Sequence, residues 1–206
     1  MRGFSDDERE RIRTRFIEAG RKLFSQYGIG KTTIADLTGE VGIGTSTFYQ
    51  FYDSKEELYL AVLEDEGEDI AERMAAEGFF ELDDPRETVE QFLRFVMDEI
   101  ETNPLTRQLL VGDNIDRIRD QQSPADRREE RQQDIDFVLS FLGPFIEDGR
   151  VFGQDPEIIA SAVVSIPYLT LHQEDIGTER YPEVRDYVIE SFARGMVREG
   201  HSAAND

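Results

Sequence analysis

The chain has 206 residues, 38% of them hydrophobic, with 14 Phe and 7 Tyr. That is enough to bury a core without covalent staples, and it excludes a disordered acidic tail. There is no cysteine, which rules out a disulfide framework, a thiolate metal site and a Cys nucleophile; the net charge of −22 sets the protein against DNA and anionic surfaces at low salt.

The apolar spacing is helical almost throughout. Ile12, Phe16, Ala19, Leu23, Phe24 and Tyr27 mark an amphipathic helix over about 8–27, ended by Gly28. Short helices follow at about 33–40 and 45–51. Ser54 with Glu57 three residues on forms a capping box that opens a long helix to about 76. Pro85 starts the next, with Val89, Phe92, Leu93, Val96 and Ile100 on its apolar face, and Asn103-Pro104 interrupts it. A short apolar turn holds Leu105, Leu109 and Leu110. After the polar stretch 112–134, with Ser123-Pro124 as a helix start, an apolar helix carries Phe137, Phe141 and Phe145 on one face, and Pro144 is expected to kink it. Asp155-Pro156 and Tyr181-Pro182 open the last two helices, at about 157–174 and 182–198. Residues 201–206 read as a frayed tail. The expected fold is all-α, with about nine helices and no strand alternation, in two domains, 1–53 and 54–200. No apolar run reaches the roughly 18 residues needed to span a bilayer, and MRGFSDDERERIR lacks the form of a signal peptide, so a cytoplasmic protein without a membrane partner is expected.

The informative segment is TTIADLTGEVGIGTSTFYQFYDSKEEL, Thr32 to Leu58. It reads as helix, tight turn, helix. Thr33 caps the first helix; Ile34, Leu37 and Val41 face inward. Gly42 stands where the chain must reverse and a left-handed residue is needed. Thr45, Ser46 and Thr47 begin the second helix, and Phe48 buries against the first. A helix-turn-helix places the start of its second helix at base edges in the major groove. Over about 16–63 the chain resembles the DNA-binding domain of the TetR family of transcriptional regulators. The glycines, the Thr-Thr start, the aromatic pair and the Ser-Lys-Glu-Glu-Leu cap all fall at that family's spacing.

The resemblance implies a homodimer of all-α subunits, each with a three-helix DNA-binding domain and a helical ligand-binding and dimerisation domain, acting on a palindromic operator and answering to a small effector. It places Thr45, Ser46, Thr47 and Gln50 at bases. It places Tyr49, Tyr52, Lys31 and Lys55 at phosphates, with Thr32 and Thr33 offering hydroxyl or backbone N–H groups at a helix start. The side-chain chemistry agrees, since Lys is a phosphate charge and Gln reads adenine. Half-buried packing is the competing reading for both tyrosines. Gly44-Thr45 replaces the family's common Ser-Lys, which removes a base and weakens the cap. An aromatic cavity is expected from Phe92, Phe95, Leu109, Phe137, Phe141 and Phe145, with Tyr168 and His172 orienting a polar group of a hydrophobic or aromatic ligand; ordinary core packing is the alternative. Val163, Ile166, Val188, Phe192 and Met196 are the expected dimer contacts. No metal, cofactor or enzymatic constellation is apparent. A co-regulator on the same fold that binds ligand or protein but no DNA is the second reading.

Charge is divided unevenly. Residues 1–62 carry nine bases and ten acids, whereas the rest carry 14 and 35; all three lysines (Lys22, Lys31, Lys55) lie in the first part. Many acids, few lysines and no cysteine resemble proteins from a cytoplasm of molar KCl, where a Debye length of ~3 Å removes most self-repulsion.

Overall fold

The computed structural model describes residues 4–110, 123–153 and 155–198, without the side chains of 109, 110, 126 and 130. The described residues are helical, apart from turns and one isolated antiparallel bridge between Val151 and Val197. They form two compact units, residues 4–73 with 103–110, and 74–102 with the described residues from 123 onward. The boundary therefore falls inside the long helix and not at its start. A later segment also returns to the first unit.

The first unit begins with α1 (Asp6–Lys31). Ser5 caps it through a reciprocal box with Glu8, and the Ser5 backbone and side-chain hydrogen bonds hold the Glu8 carboxyl below its usual range. Gly28, at φ 71° and ψ 163°, breaks the helical geometry where the sequence puts the end. One further turn follows it to Lys31. Next come α2 (Ile34–Val41), α3 (Thr45–Phe48) and α4 (Lys55–Ala76). The core is a set of rings and aliphatic side chains: Phe16, Phe24, Leu37, Phe48, Leu58, Tyr59 and Val62 are all essentially inaccessible. Phe16 meets Phe48 edge-on at 5.3 Å, and Phe24 meets Tyr59 edge-on at 5.0 Å, arrangements that aromatic quadrupoles favour. Gly20 lets α1 approach: a Cβ there would stand 2.7 Å from a Val62 methyl.

In the second unit, α5 (Pro85–Thr102) carries the apolar face read from the sequence. The chain then leaves at Asn103-Pro104 into α6 (Pro104–Leu110), which belongs to the first unit and buries Leu105 in its core. Asn103 caps α6, accepting from the Leu105 amide at 2.9 Å, and donates to Glu66 at 2.6 Å. The second unit continues with α7 (Asp126–Glu147), α8 (Pro156–Ser165), a 3-10 helix (Ile166–His172), α9 (Gln173–Ile176) and α10 (Tyr181–Met196). Pro144 sits inside α7 without ending it. The single helix expected at 157–174 is α-helical only to Ser165. Pro167 has no N–H to continue the i−4 ladder, and the chain tightens to 3-10 geometry. Arg94 pairs with Asp186 at 2.5 Å; Arg185 pairs with Asp98 and Glu101, and Tyr181 donates to Glu101 at 2.7 Å, fastening α10 to α5. Among the described residues no helix is long and apolar enough to cross a membrane.

Candidate nucleic-acid interface

The site lies wholly in the first unit. Thr33 caps α2: its hydroxyl accepts from the Asp36 amide, while the Asp36 carboxylate accepts from the Thr33 amide at 2.9 Å and from the hydroxyl at 2.6 Å. The Thr33 hydroxyl first, and then its amide, hold the Asp36 carboxyl below the usual range. At Gly42 (φ 75°, ψ 37°) the chain reverses, and the amides of Gly42 and Ile43 both donate to the Thr38 carbonyl, at 2.9 and 3.0 Å. That is how a helix ends on a left-handed glycine. Phe48, fully buried, anchors α3 from inside. Thr45, Ser46, Tyr49 and Gln50 are exposed around it, and Thr47 is half-buried. Gly44 gives α3 no side-chain cap. One anchored turn thus presents two hydroxyls, an amide and a phenol outward.

The remaining expected contacts divide. Lys31 is exposed on the last turn of α1. A groove of about 410 Å³ is lined by Thr33, Tyr49, Ser54 and Lys55, but also by the acids Asp53 and Glu56. Three assignments need correction. Thr32 is 2% exposed; its hydroxyl and amide both donate to Gly28 O, so both donors are spent on closing α1. Thr33 spends its amide and hydroxyl on Asp36, so an anion already occupies the start of α2. Tyr52 is 9% exposed, with its ring 5.7 Å from Phe16, and burial pushes its phenol pKa up; packing is its role. Lys55 donates to Ile29 O at 2.6 Å and Thr32 O at 2.8 Å. It thereby neutralises the carbonyl end of α1 and keeps one of its three N–H groups uncommitted by these bonds.

One residue here escaped the sequence reading. Arg9 donates to Gln50 O at 3.0 Å, and its guanidinium lies 5.0 Å from the Phe51 ring centroid. The partners are 41 positions apart, so no local pattern signals them.

In the second unit the aromatic residues pack on one another. Phe141 stands 4.8 Å from Phe79, 5.1 Å from Phe92 and 5.7 Å from Phe137. Phe145 is buried with Arg150 over its ring, Phe95 is partly buried, and Phe137 is exposed at its edge. Leu109 has its side chain outside the described residues. Tyr168 and His172 do not share a helical face directed inward. They stand on the 3-10 helix, where four residues exceed one turn, and both are exposed, His172 lying 3.1 Å from Asp175. Among the expected dimer contacts, Val163 is fully buried and Met196 is 9% exposed, both within this unit's own core. Ile166, Val188 and Phe192 are partly buried. Exposed apolar side chains nearby in sequence include Ile158, Tyr168, Leu171 and Tyr187, the last 73% exposed. Among the described residues no group of three or more His, Cys, Asp or Glu is arranged for a metal ion.

Residues 16–62 match the family model described as bacterial regulatory proteins, tetR family. A curated relative, the nucleoid occlusion factor SlmA of Haemophilus influenzae, is 24% identical over 144 residues. The match takes in 70% of this chain and 66% of that protein, so the aligned chain spans just under two thirds of the relative's length. Among solved structures, a TetR-family transcriptional regulator from Pectobacterium atrosepticum superposes with a TM-score of 0.74 at 20% identity, over 96% of this chain and 100% of the other. RolR in complex with resorcinol superposes with a TM-score of 0.61 at 20% identity, over 95% and 92%. These likenesses establish the fold.

Proposed function

We propose, from the premise that this chain belongs through its first domain to the tetR family of bacterial regulatory proteins, that it is a ligand-responsive DNA-binding transcriptional regulator acting as a homodimeric repressor. The observation that carries the reading is the α2–Gly42–α3 unit. Its buried Phe48 holds Thr45 and Ser46 outward on α3, with Gln50 outward on the turn that follows, the chemistry that reads base edges. Tyr49 and Lys31 supply flanking phosphate contacts.

The effector is a small hydrophobic or aromatic molecule. The aromatic richness of the second unit supports this, as does resorcinol in the solved structure of RolR. Effector and operator act through differential affinity: ligand favours a dimer whose α3 turns no longer match half-sites a whole number of helical turns apart. The long helix α4, which includes residues of both units, is the natural relay. The dimer surface draws on α10 and the segment before it, through Tyr168, Leu171, Tyr187 and the partly buried Val188 and Phe192.

The test is selection of genomic DNA fragments by the purified protein in about 2 M KCl, with and without cell extract, on protein confirmed to be folded and dimeric in that buffer. Enrichment of one palindrome is expected. No enrichment under either condition refutes DNA binding and favours a co-regulator on the same fold. The acids Asp53 and Glu56 in the groove, with Asp36 at the start of α2, favour that second reading.

A further inference from the structure

The α3 segment is short for a base-reading element. Only Thr45–Phe48 is α-helical, and residues 49–51 continue as a turn, with the Gln50 amide donating to Thr47 O at 3.0 Å and the Phe51 amide to Phe48 O at 2.9 Å. The carbonyls at the end of so short an element lie beyond its own ladder and need outside donors. Gln50 O receives one from Arg9, at 3.0 Å. The same guanidinium lies over the Phe51 ring at 5.0 Å, and the rings of Phe4 and Phe16 each tilt against it at 5.9 Å. The first turn of α1 is itself fixed by the Ser5–Glu8 box. A rigid helix start therefore grips the last turn of the base-reading segment, at the residue whose side chain faces outward.

We infer that Arg9 is a positioning residue for sequence discrimination: by holding the Gln50 carbonyl and the Phe51 ring, it fixes the backbone from which the Gln50 side chain reads its base pair. This rests on the DNA-binding reading above. A cation at the carbonyl end of a helical turn also complements its dipole, so the contact has a reason to persist in the free protein. Arginine suits the place because one planar group both donates in its plane and stacks by its face, which a lysine ammonium does not do. A phosphate contact is the rival role, and the two differ in what they change. A phosphate contact alters affinity for all sequences and the salt slope, whereas a positioning contact alters preference at one base pair.

The experiment uses the full chain in 2 M KCl, on the palindrome selected by the wild type and on its single-base variants. Q50A identifies the base pair that Gln50 reads, as the position whose preference it relaxes. R9A is expected to reduce discrimination at that position about tenfold, to leave other positions within about twofold and to leave the salt slope unchanged. The double variant R9A/Q50A is expected to discriminate no worse than Q50A alone. R9Q, which keeps a donor for the carbonyl, is expected to recover part of the preference, and it replaces R9A if R9A does not fold. Retained preference in R9A, a uniform loss across all sequences, or a salt slope smaller by about one overturns the inference. So does a Q50A variant that relaxes no position. A wild type that selects no sequence overturns the DNA-binding reading itself; a wild type that selects, beside an R9A that selects identically, overturns only the role of Arg9.

Discussion

Tyr59 offers a clean test of the first unit's core. Its ring is 1% exposed and meets Phe24 edge-on at 5.0 Å, yet its hydroxyl has no hydrogen-bond partner among the described residues. An unpaired buried hydroxyl costs about 1–3 kcal/mol, while the ring contributes its full apolar burial. Tyr59→Phe keeps the ring and removes the penalty. It is expected to stabilise the protein by about 1 kcal/mol at pH 7.5, or about 2–4 °C in Tm for a chain of this size. The pH dependence gives a second handle. Burial pushes the Tyr59 phenol up to about 12 from 10.0. Between those values the unfolded chain has lost the proton and the folded chain holds it, so the folded state binds more protons and the wild type loses stability as pH rises. The interval is worth on the order of 3 kcal/mol at full extent. Tyr59→Phe lacks this contribution, and every other titration is common to both proteins. The gap between them should therefore widen from about 1 kcal/mol below pH 9 to about 3 kcal/mol or more near pH 12. Urea unfolding in 2 M KCl at four or five pH values measures it. A variant less stable than wild type at pH 7.5, or a gap that stays flat through pH 11.5, refutes the reasoning and means that the hydroxyl is satisfied.

Gly42→Ala should lose about 1–2 kcal/mol, because φ 75° is strained for any Cβ although only Arg15 comes near the added atom. The control is Gly39→Ala, inside α2 with nothing within 4 Å, which should gain about 0.5–1 kcal/mol in the same urea titration. Asn103→Ala removes the cap of α6 and one of the partners of buried Glu66; a loss of about 1–3 kcal/mol by thermal unfolding is expected. Lys55→Met should lower Tm without DNA, since it strips two bonds from the end of α1. An unchanged Tm with a DNA salt slope smaller by ~0.9 would make Lys55 a phosphate contact only.

What was legible in the sequence was local. Thr33 with Asp36, Gly42 at the reversal, and Pro85, Pro156 and Pro182 at helix starts all act within four residues, and each sits where its chemistry requires; of the box expected at Ser54, the hydroxyl accepts from the Glu57 amide, but the Glu57 carboxylate accepts from the Asp53 amide. The periodicity also separated buried Phe16, Phe48 and Phe92 from their exposed neighbours. Illegible was everything that needs the third dimension. Lys55 and Ile29 are 26 positions apart, and Glu66 and Asn103 are 37 apart. The return of α6 to the first unit follows from the burial of Leu105, and a short apolar turn does not announce its partner. Tyr168 and His172 failed for a different reason: α-helical spacing was carried past Pro167, where the ladder cannot continue.

The charge distribution bears on how such a site could work. Arg21 gathers Asp65, Glu66 and Asp69 on α4, and Lys22 is paired with Glu40 at 2.6 Å, so two of the nine bases of residues 1–62 are already paired within the protein. Lys55 is committed to carbonyls and Arg9 to Gln50. The exposed Arg11, Arg13, Arg15 and Lys31 remain, but residues 1–62 also hold ten acids, so the field that gathers phosphates there is weak. At about 1 M salt that matters less, because a Debye length of ~3 Å confines every charge to its contact neighbours and counterion release contributes little. Under those conditions recognition depends on groups that act at hydrogen-bond range. The exposed hydroxyls of Thr45 and Ser46, the Gln50 amide and the Tyr49 phenol are groups of that kind, and the acids Asp36, Asp53 and Glu56 become tolerable beside them for the same reason.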